Sequence, residues 1–164
     1  MIAQLNSHPI NTLTLHNQVR IVNTSADQFS TEIVADALKI AGTGKRVLIV
    51  QLLKGGIRQG HDQVMNLAQN LDWIRCNLIR NISVSDLNDL ELHNFHQLWK
   101  HVRSAAKTSE YSLLILDDLS LSIDLGLISI EAATEFLTTL PEDLEVILTG
   151  TSSHPTILEL VNGE

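Results

Sequence analysis

Hydrophobic positions along this chain fall into short continuous runs separated by stretches of helical period. Residues 19–23, 45–53, 111–116 and 144–149 are apolar and β-branched with little alternation, the pattern of strands covered on both faces of a parallel sheet. Residues 73–79 alternate instead, with Arg75, Asn77 and Arg80 marking a wetter face, and are expected nearer the sheet edge. Helices are expected over residues 28–41, where Ile33, Val34, Ala37, Leu38 and Ala41 form a stripe ended by Gly42, and over 62–70. A longer helix, capped at Ser85 or Asp86, carries the stripe Leu92, Phe95, Trp99, Val102 and Ala106. Two more are expected over 131–140, stopped by Pro141, and over 156–161, where Ser152, Ser153 and His154 form a turn and cap with Pro155 at the first helical position.

This alternation predicts a three-layer α/β/α domain over residues 18–164, with a mostly parallel sheet of about five strands and right-handed crossovers. Residues 1–17 have no helical period and contain Pro9, so they read as an extended arm with a short strand at 12–15. In such sheets ligands bind at the carboxyl ends of the strands. That edge gathers residues 23–31, 54–60, 117–121 and 150–154.

Composition narrows the function classes. The 164 residues are 44% hydrophobic, enough for one domain with a real core. Eleven Lys and Arg against 19 Asp and Glu give a net charge of -8, which argues against nonspecific binding to nucleic acid or anionic membrane. Cys76 is alone, so no internal disulfide forms, and a soluble protein of the reducing cytoplasm is expected. The first residues lack a signal-peptide pattern, and no uncharged apolar run approaches ~18 residues.

Candidate chemistry begins at residues 19–31, V-R-I-V-N-T-S-A-D-Q-F-S-T: a strand, a polar turn and a helix start. A glycine-rich loop at this place holds phosphate on the unpaired N–H groups of the helix N-terminus. The pattern G-x-x-x-x-G-K-[ST] asks for two glycines and a lysine before the hydroxyl. With Ser30 as the hydroxyl those positions hold Asn23, Gln28 and Phe29; with Thr31 they hold Thr24, Phe29 and Ser30. Neither register supplies a glycine or a lysine.

Residues 113–118, L-L-I-L-D-D, have the form of a strand delivering a carboxylate to magnesium, with Asp117 holding the ion through water and Asp118 orienting a nucleophile or stabilising the neighbouring loop; two acids closing a strand end is the plainer reading. Residues 42–46, G-T-G-K-R, precede a strand and face a helix C-terminus, whose dipole repels phosphate, so they read as a connecting turn. His93, His96 and His101 make a poor metal set and read as surface residues. His96, Lys100, Arg103 and Lys107 form a basic stripe beside the core stripe of their helix, either a solvated face or a dock for an acidic protein partner.

With these pieces in order, the chain resembles the P-loop-type ATP:corrinoid adenosyltransferases, which move the adenosyl group of ATP onto cob(I)alamin or precursors such as cob(I)yrinic acid a,c-diamide. The matching segments are V-R-I-V-N-T, A-G-T-G-K-R-V-L-I-V-Q-L-L-K-G, L-L-I-L-D-D-L-S, and L-E-V-I-L-T-G followed by H-P-T-I-L-E-L-V. The resemblance implies a P-loop-NTPase-like fold, a homodimer, and ATP with magnesium and a corrinoid as ligands. If nucleotide binding is retained, it assigns Thr24, Ser25, Ser30, Thr31, Lys54, Asp117, Asp118, Thr149 and Gly150 to that site, with Ser30 and Asp117 on the metal.

Departures from the family pattern fall on its working parts. Asp27 adds negative charge where phosphate would lie and Phe29 replaces a cation, so both oppose polyphosphate. Residues 81–84 lack the aromatic residues with which the family presses on the corrin, and Thr151 stands at a family arginine. The expectation is a degenerate Walker A motif on an intact scaffold: a pseudoenzyme that binds a protein or ligand, with no cofactor assigned. The alternatives are an active adenosyltransferase of cobalamin metabolism and a nucleotide sensor without turnover.

Overall fold

The computed structural model describes residues 18–24, 31–56 and 60–163. In chain order the described elements are β1 (Val19–Asn23), α1 (Thr31–Gly42), β2 (Val47–Gln51), β3 (Met65–Ala68), β4 (Leu71–Arg75), α2 (Asp89–Lys107), β5 (Leu113–Asp117), α3 (Leu119–Asp124), α4 (Ile130–Thr138), β6 (Glu145–Gly150) and α5 (Pro155–Asn162). The six strands form one sheet in the order β1-β6-β5-β2-β4-β3. All neighbours are parallel except β3, which pairs antiparallel with β4 at the edge. The expected extended arm, and its strand at 12–15, lie outside the described residues.

Sheet and helices enclose two apolar clusters, one on each face. Side chains alternate between faces along a strand, so Leu48, Val50, Leu114, Leu116, Val146 and Leu148 meet α2, α4 and α5 through Phe95, Trp99, Val102, Phe136, Leu137 and Ile157. Val47, Ile49, Leu113, Ile115 and Ile147 turn the other way and meet Ile33, Ala37 and Ala41 of α1. This is the expected three-layer α/β/α architecture. Each large side chain so buried contributes about 1.5–3 kcal/mol. Cys76 is free and buried, and burial pushes its thiol up to about 12, so it remains a protonated apolar filler.

Four expectations need correction: a helix, the strand count, the bounds of one strand and a cap. Residues 62–70 are not helical: they contain β3, and Asn70, at φ 69°, turns the chain into β4 with Ala68 opposite Leu71. The sheet therefore has six strands, and the strand expected over 73–79 is β4, starting at Leu71 and ending at Arg75. The α2 cap is Asn88, whose side chain accepts from the Glu91 N–H while Glu91 accepts from the Asn88 N–H; Ser85 and Asp86 precede it. Pro155 does open α5, with His154 as its N-cap. The short helix α3, directly after the acidic pair, had no sequence expectation.

At the amino end of the strands, Asp72, 5% exposed, collects donors from three other segments. It accepts from Arg46 Nη2 at 2.7 Å, from the Tyr111 hydroxyl at 2.8 Å, and from the Asn66 amide. Arg46 also pairs with Glu110 and lies 4.9 Å over the Tyr111 ring. One carboxylate thereby ties together the entries to β2 and β5 and the edge hairpin.

Candidate functional site

At the opposite, carboxyl end, the parallel register sets Arg75, Gln51, Asp117 and Thr149 side by side across β4, β2, β5 and β6. Alternation turns them to the α1 face, just beyond the apolar cluster there. Asp117 is wholly buried, and its carboxylate is fully engaged. Oδ1 accepts from the Thr149 hydroxyl at 2.8 Å; Oδ2 accepts from Lys54 Nζ at 2.5 Å and, more weakly, from the Gln51 amide at 3.4 Å. Gln51 is held in turn, its Oε1 accepting from Trp73 Nε1 and Arg75 Nε, each at 2.9 Å.

Lys54 leaves the end of β2 and places the same ammonium 2.9 Å from Asp118 Oδ2. Burial works against its charge, but the charges and hydrogen bonds of Asp117 and Asp118 prevail and raise its pKa above the ordinary lysine value. Asp118 moves the other way from most paired acids. Burial and the neighbouring Asp117 charge raise its pKa, against the opposing pull of Lys54. Its backbone is left-handed, φ 68° and ψ 29°, which swings the carboxylate back over Gly150; a Cβ at Gly150 would sit 3.2 Å from Asp118 Oδ1. Asp118 N–H donates to Thr149 O, and its own carbonyl accepts from the Ser122 hydroxyl.

The loop after Lys54 is built on backbone contact. A Cβ at Gly55 would lie 2.0 Å from the Leu78 carbonyl oxygen, and Gly56, at φ 141°, passes against Arg75 Nη1. Gly56 N–H donates to Leu78 O and Ile82 N–H to Leu53 O, so this loop is laced to the one that follows β4.

The structure thus brings Lys54, Asp117, Asp118, Thr149 and Gly150 into one network. Thr24 joins through its backbone, donating to Gly150 O at 2.7 Å. Thr31 opens α1 with an exposed side chain. Ser25, Asp27, Phe29 and Ser30 lie outside the described residues. Sequence reasoning did not single out Gln51, Trp73 or Arg75 for this network; the signal was a lone amide in the apolar run of β2, which a buried strand tolerates only with partners.

This donor set does not fit a divalent cation. Both oxygens of Asp117 are taken by the chain's own donors, and an ammonium stands between the two carboxylates where a metal would bind them. The same ion pairs carry a pH dependence. Because the Lys54 pKa is raised by folding, its contribution is fully present below the ordinary lysine value of 10.5 and is lost as pH rises through the folded value. Urea midpoints followed from pH 8 to 11.5 are expected to fall beyond about pH 10, and to fall less in Lys54→Met.

Comparison with known proteins places this arrangement. Residues 29–163 match the model of the family described as ATP:corrinoid adenosyltransferase BtuR/CobO/CobP. The chain belongs to this family. The corrinoid adenosyltransferase of Escherichia coli K12 is similar, 23% identical over 141 residues that make up 81% of this chain and 67% of that protein. An uncharacterized protein of Nostoc sp. is 28% identical over 154 residues, 87% of this chain but only 41% of its own length. The adenosyltransferase family match spans every described element from α1 to α5. No helix among the described residues is long and apolar enough to cross a membrane.

Proposed function

We propose that this chain is a non-catalytic adenosyltransferase-family protein, a binding or regulatory module on a retained scaffold. The observation that carries the reading is the closed state of Asp117 and Asp118. Adenosyl transfer from ATP expels a triphosphate, and its transition state needs that charge neutralised by cations. Here the cations at the strand ends are Lys54, already committed to two carboxylates at 2.5 and 2.9 Å, and Arg75, whose Nε is held by Gln51. The loop sequence agrees: residues 25–30, S-A-D-Q-F-S, contain no glycine for positive-φ turns and no lysine, and Asp27 adds a like charge to phosphate.

The test is thermal denaturation with millimolar MgATP. A ligand at ~100 times its Kd adds ~2.7 kcal/mol of stability, an increase of several degrees for a chain of this size. No shift is expected, and no adenosylated product with cob(I)alamin. A clear upward shift without product would instead establish a nucleotide sensor; product formation would establish an active enzyme.

A further inference from the structure

The three histidines of α2 do not share one environment. His93 and His96 are exposed, whereas His101, on another flank of the helix, is half-buried and faces a histidine from elsewhere in the chain. Its ring centroid lies 5.3 Å from that of His61, in the turn that leads into β3, with the two planes tilted by 38°.

Both rings stand on fixed backbone. Gly60, at φ 119°, donates its N–H to Arg75 O at 2.9 Å and accepts from Gln63 N–H at 3.1 Å, so the turn carrying His61 is pinned to the end of β4. His101 lies between the core residues Leu98 and Val102, and Asn94 Nδ2 donates to Asn77 O at 3.0 Å, which ties α2 to the chain leaving β4. The pair sits on the α2 side of the sheet, whereas the Asp117 network turns to the α1 face.

Ring packing alone allows a 5.3 Å separation, but it gives the ring nitrogens nothing to bind. Neither His61 nor His101 has a hydrogen bond among the described residues, in contrast with His154, whose Nδ1 accepts from Thr156 N–H. The spacing also suits a shared ion. A metal about 2.1 Å from a ring nitrogen lies about 3.2 Å from that ring's centroid, so two imidazoles in tetrahedral coordination hold their centroids about 5.2 Å apart.

We propose that His61 and His101 together chelate a divalent transition-metal ion of the class that prefers imidazole, such as Zn²⁺ or Ni²⁺. No third histidine, cysteine, aspartate or glutamate joins them among the described residues, so water completes the coordination and the ion is exchangeable, not structural. Imidazole selects these ions over Mg²⁺ and Ca²⁺, which take oxygen ligands. Burial and the charge of His61 hold His101 below its ordinary pKa, in the neutral form that ligates, and the charge of Glu110 favours a cation there. A bound ion bridges the turn before the edge strand to the longest helix. This inference does not depend on whether nucleotide binds.

The test is a Zn²⁺ titration of the full chain, first freed of metal by a chelator, followed by calorimetry and by NMR of the histidine rings. The His61 and His101 resonances are expected to shift together and to saturate at a single equivalent, and Mg²⁺ to move neither. His61→Gln and His101→Gln should each weaken Zn²⁺ binding about a hundredfold, because either change removes the effective concentration that chelation supplies. Both should keep an unchanged circular dichroism spectrum, and the control His93→Gln with His96→Gln should keep the full affinity. Zn²⁺ affinity retained in both single variants, or lost in the control, would mean an adventitious ion only and overturn the proposal. If a variant misfolds, the unmodified protein decides: rings of His61 and His101 that do not respond at ~1 mM Zn²⁺, a concentration that would fill a site worth only ~4 kcal/mol, overturn it equally.

Discussion

Replacing Lys54 by methionine is expected to destabilise the protein by about 3 kcal/mol at neutral pH, because it leaves two buried carboxylates without their shared cation. For a chain of this length that is a fall in Tm of roughly 6–12 °C. The loss should shrink in acid. The Asp118 pKa, already raised by burial and by Asp117, rises further without the ammonium, so a proton neutralises the site at less acid pH than before. An added Asp118→Asn change should recover much of the loss at neutral pH. A single-variant loss below about 0.5 kcal/mol would mean that solvent compensates these charges, and would remove the main support for a closed site.

The second large effect is expected at Gly55→Ala. A methyl group placed 2.0 Å from the Leu78 carbonyl oxygen and 2.6 Å from its carbon meets backbone, which cannot rotate away. The strand-end loops must part, breaking the Gly56-to-Leu78 and Ile82-to-Leu53 hydrogen bonds, at a cost of about 3 kcal/mol or more. Gly42→Ala is the control: nothing lies within 4 Å of its Cβ position, and alanine suits a helix end as well as glycine does. Equal Tm values for the two variants would show that the loop has room the geometry denies it.

The core strands were legible because a buried parallel strand leaves an unmistakable trace, as in V-L-I-V-Q of β2, where every residue is buried. Residues 62–70 were misread because Val64, Met65, Leu67 and Ala68 fit a helical spacing as well as an edge strand. The deciding cue was Asn70, a residue type that tolerates positive φ and that here, with Gln69, closes a two-residue hairpin turn. In the site, Lys54, Asp117, Thr149 and Gly150 were visible as strand-end residues. What sequence could not give was their mutual engagement, which depends on the lateral register of four strands. Nor did it give the left-handed backbone of Asp118, imposed by the turn from β5 directly into α3.

Asp72 stands at the opposite end of the sheet from the Asp117 network. It binds Arg46, Asn66 and Tyr111 where the strands begin, so the architecture is anchored at a place that no ligand-edge substitution touches. Substitutions among the strand-end residues of the Asp117 network leave those three contacts of Asp72 in place. The two ends of the sheet are therefore separable: one clasp holds the strands together where they begin, and the residues where they end are free to vary without loosening it.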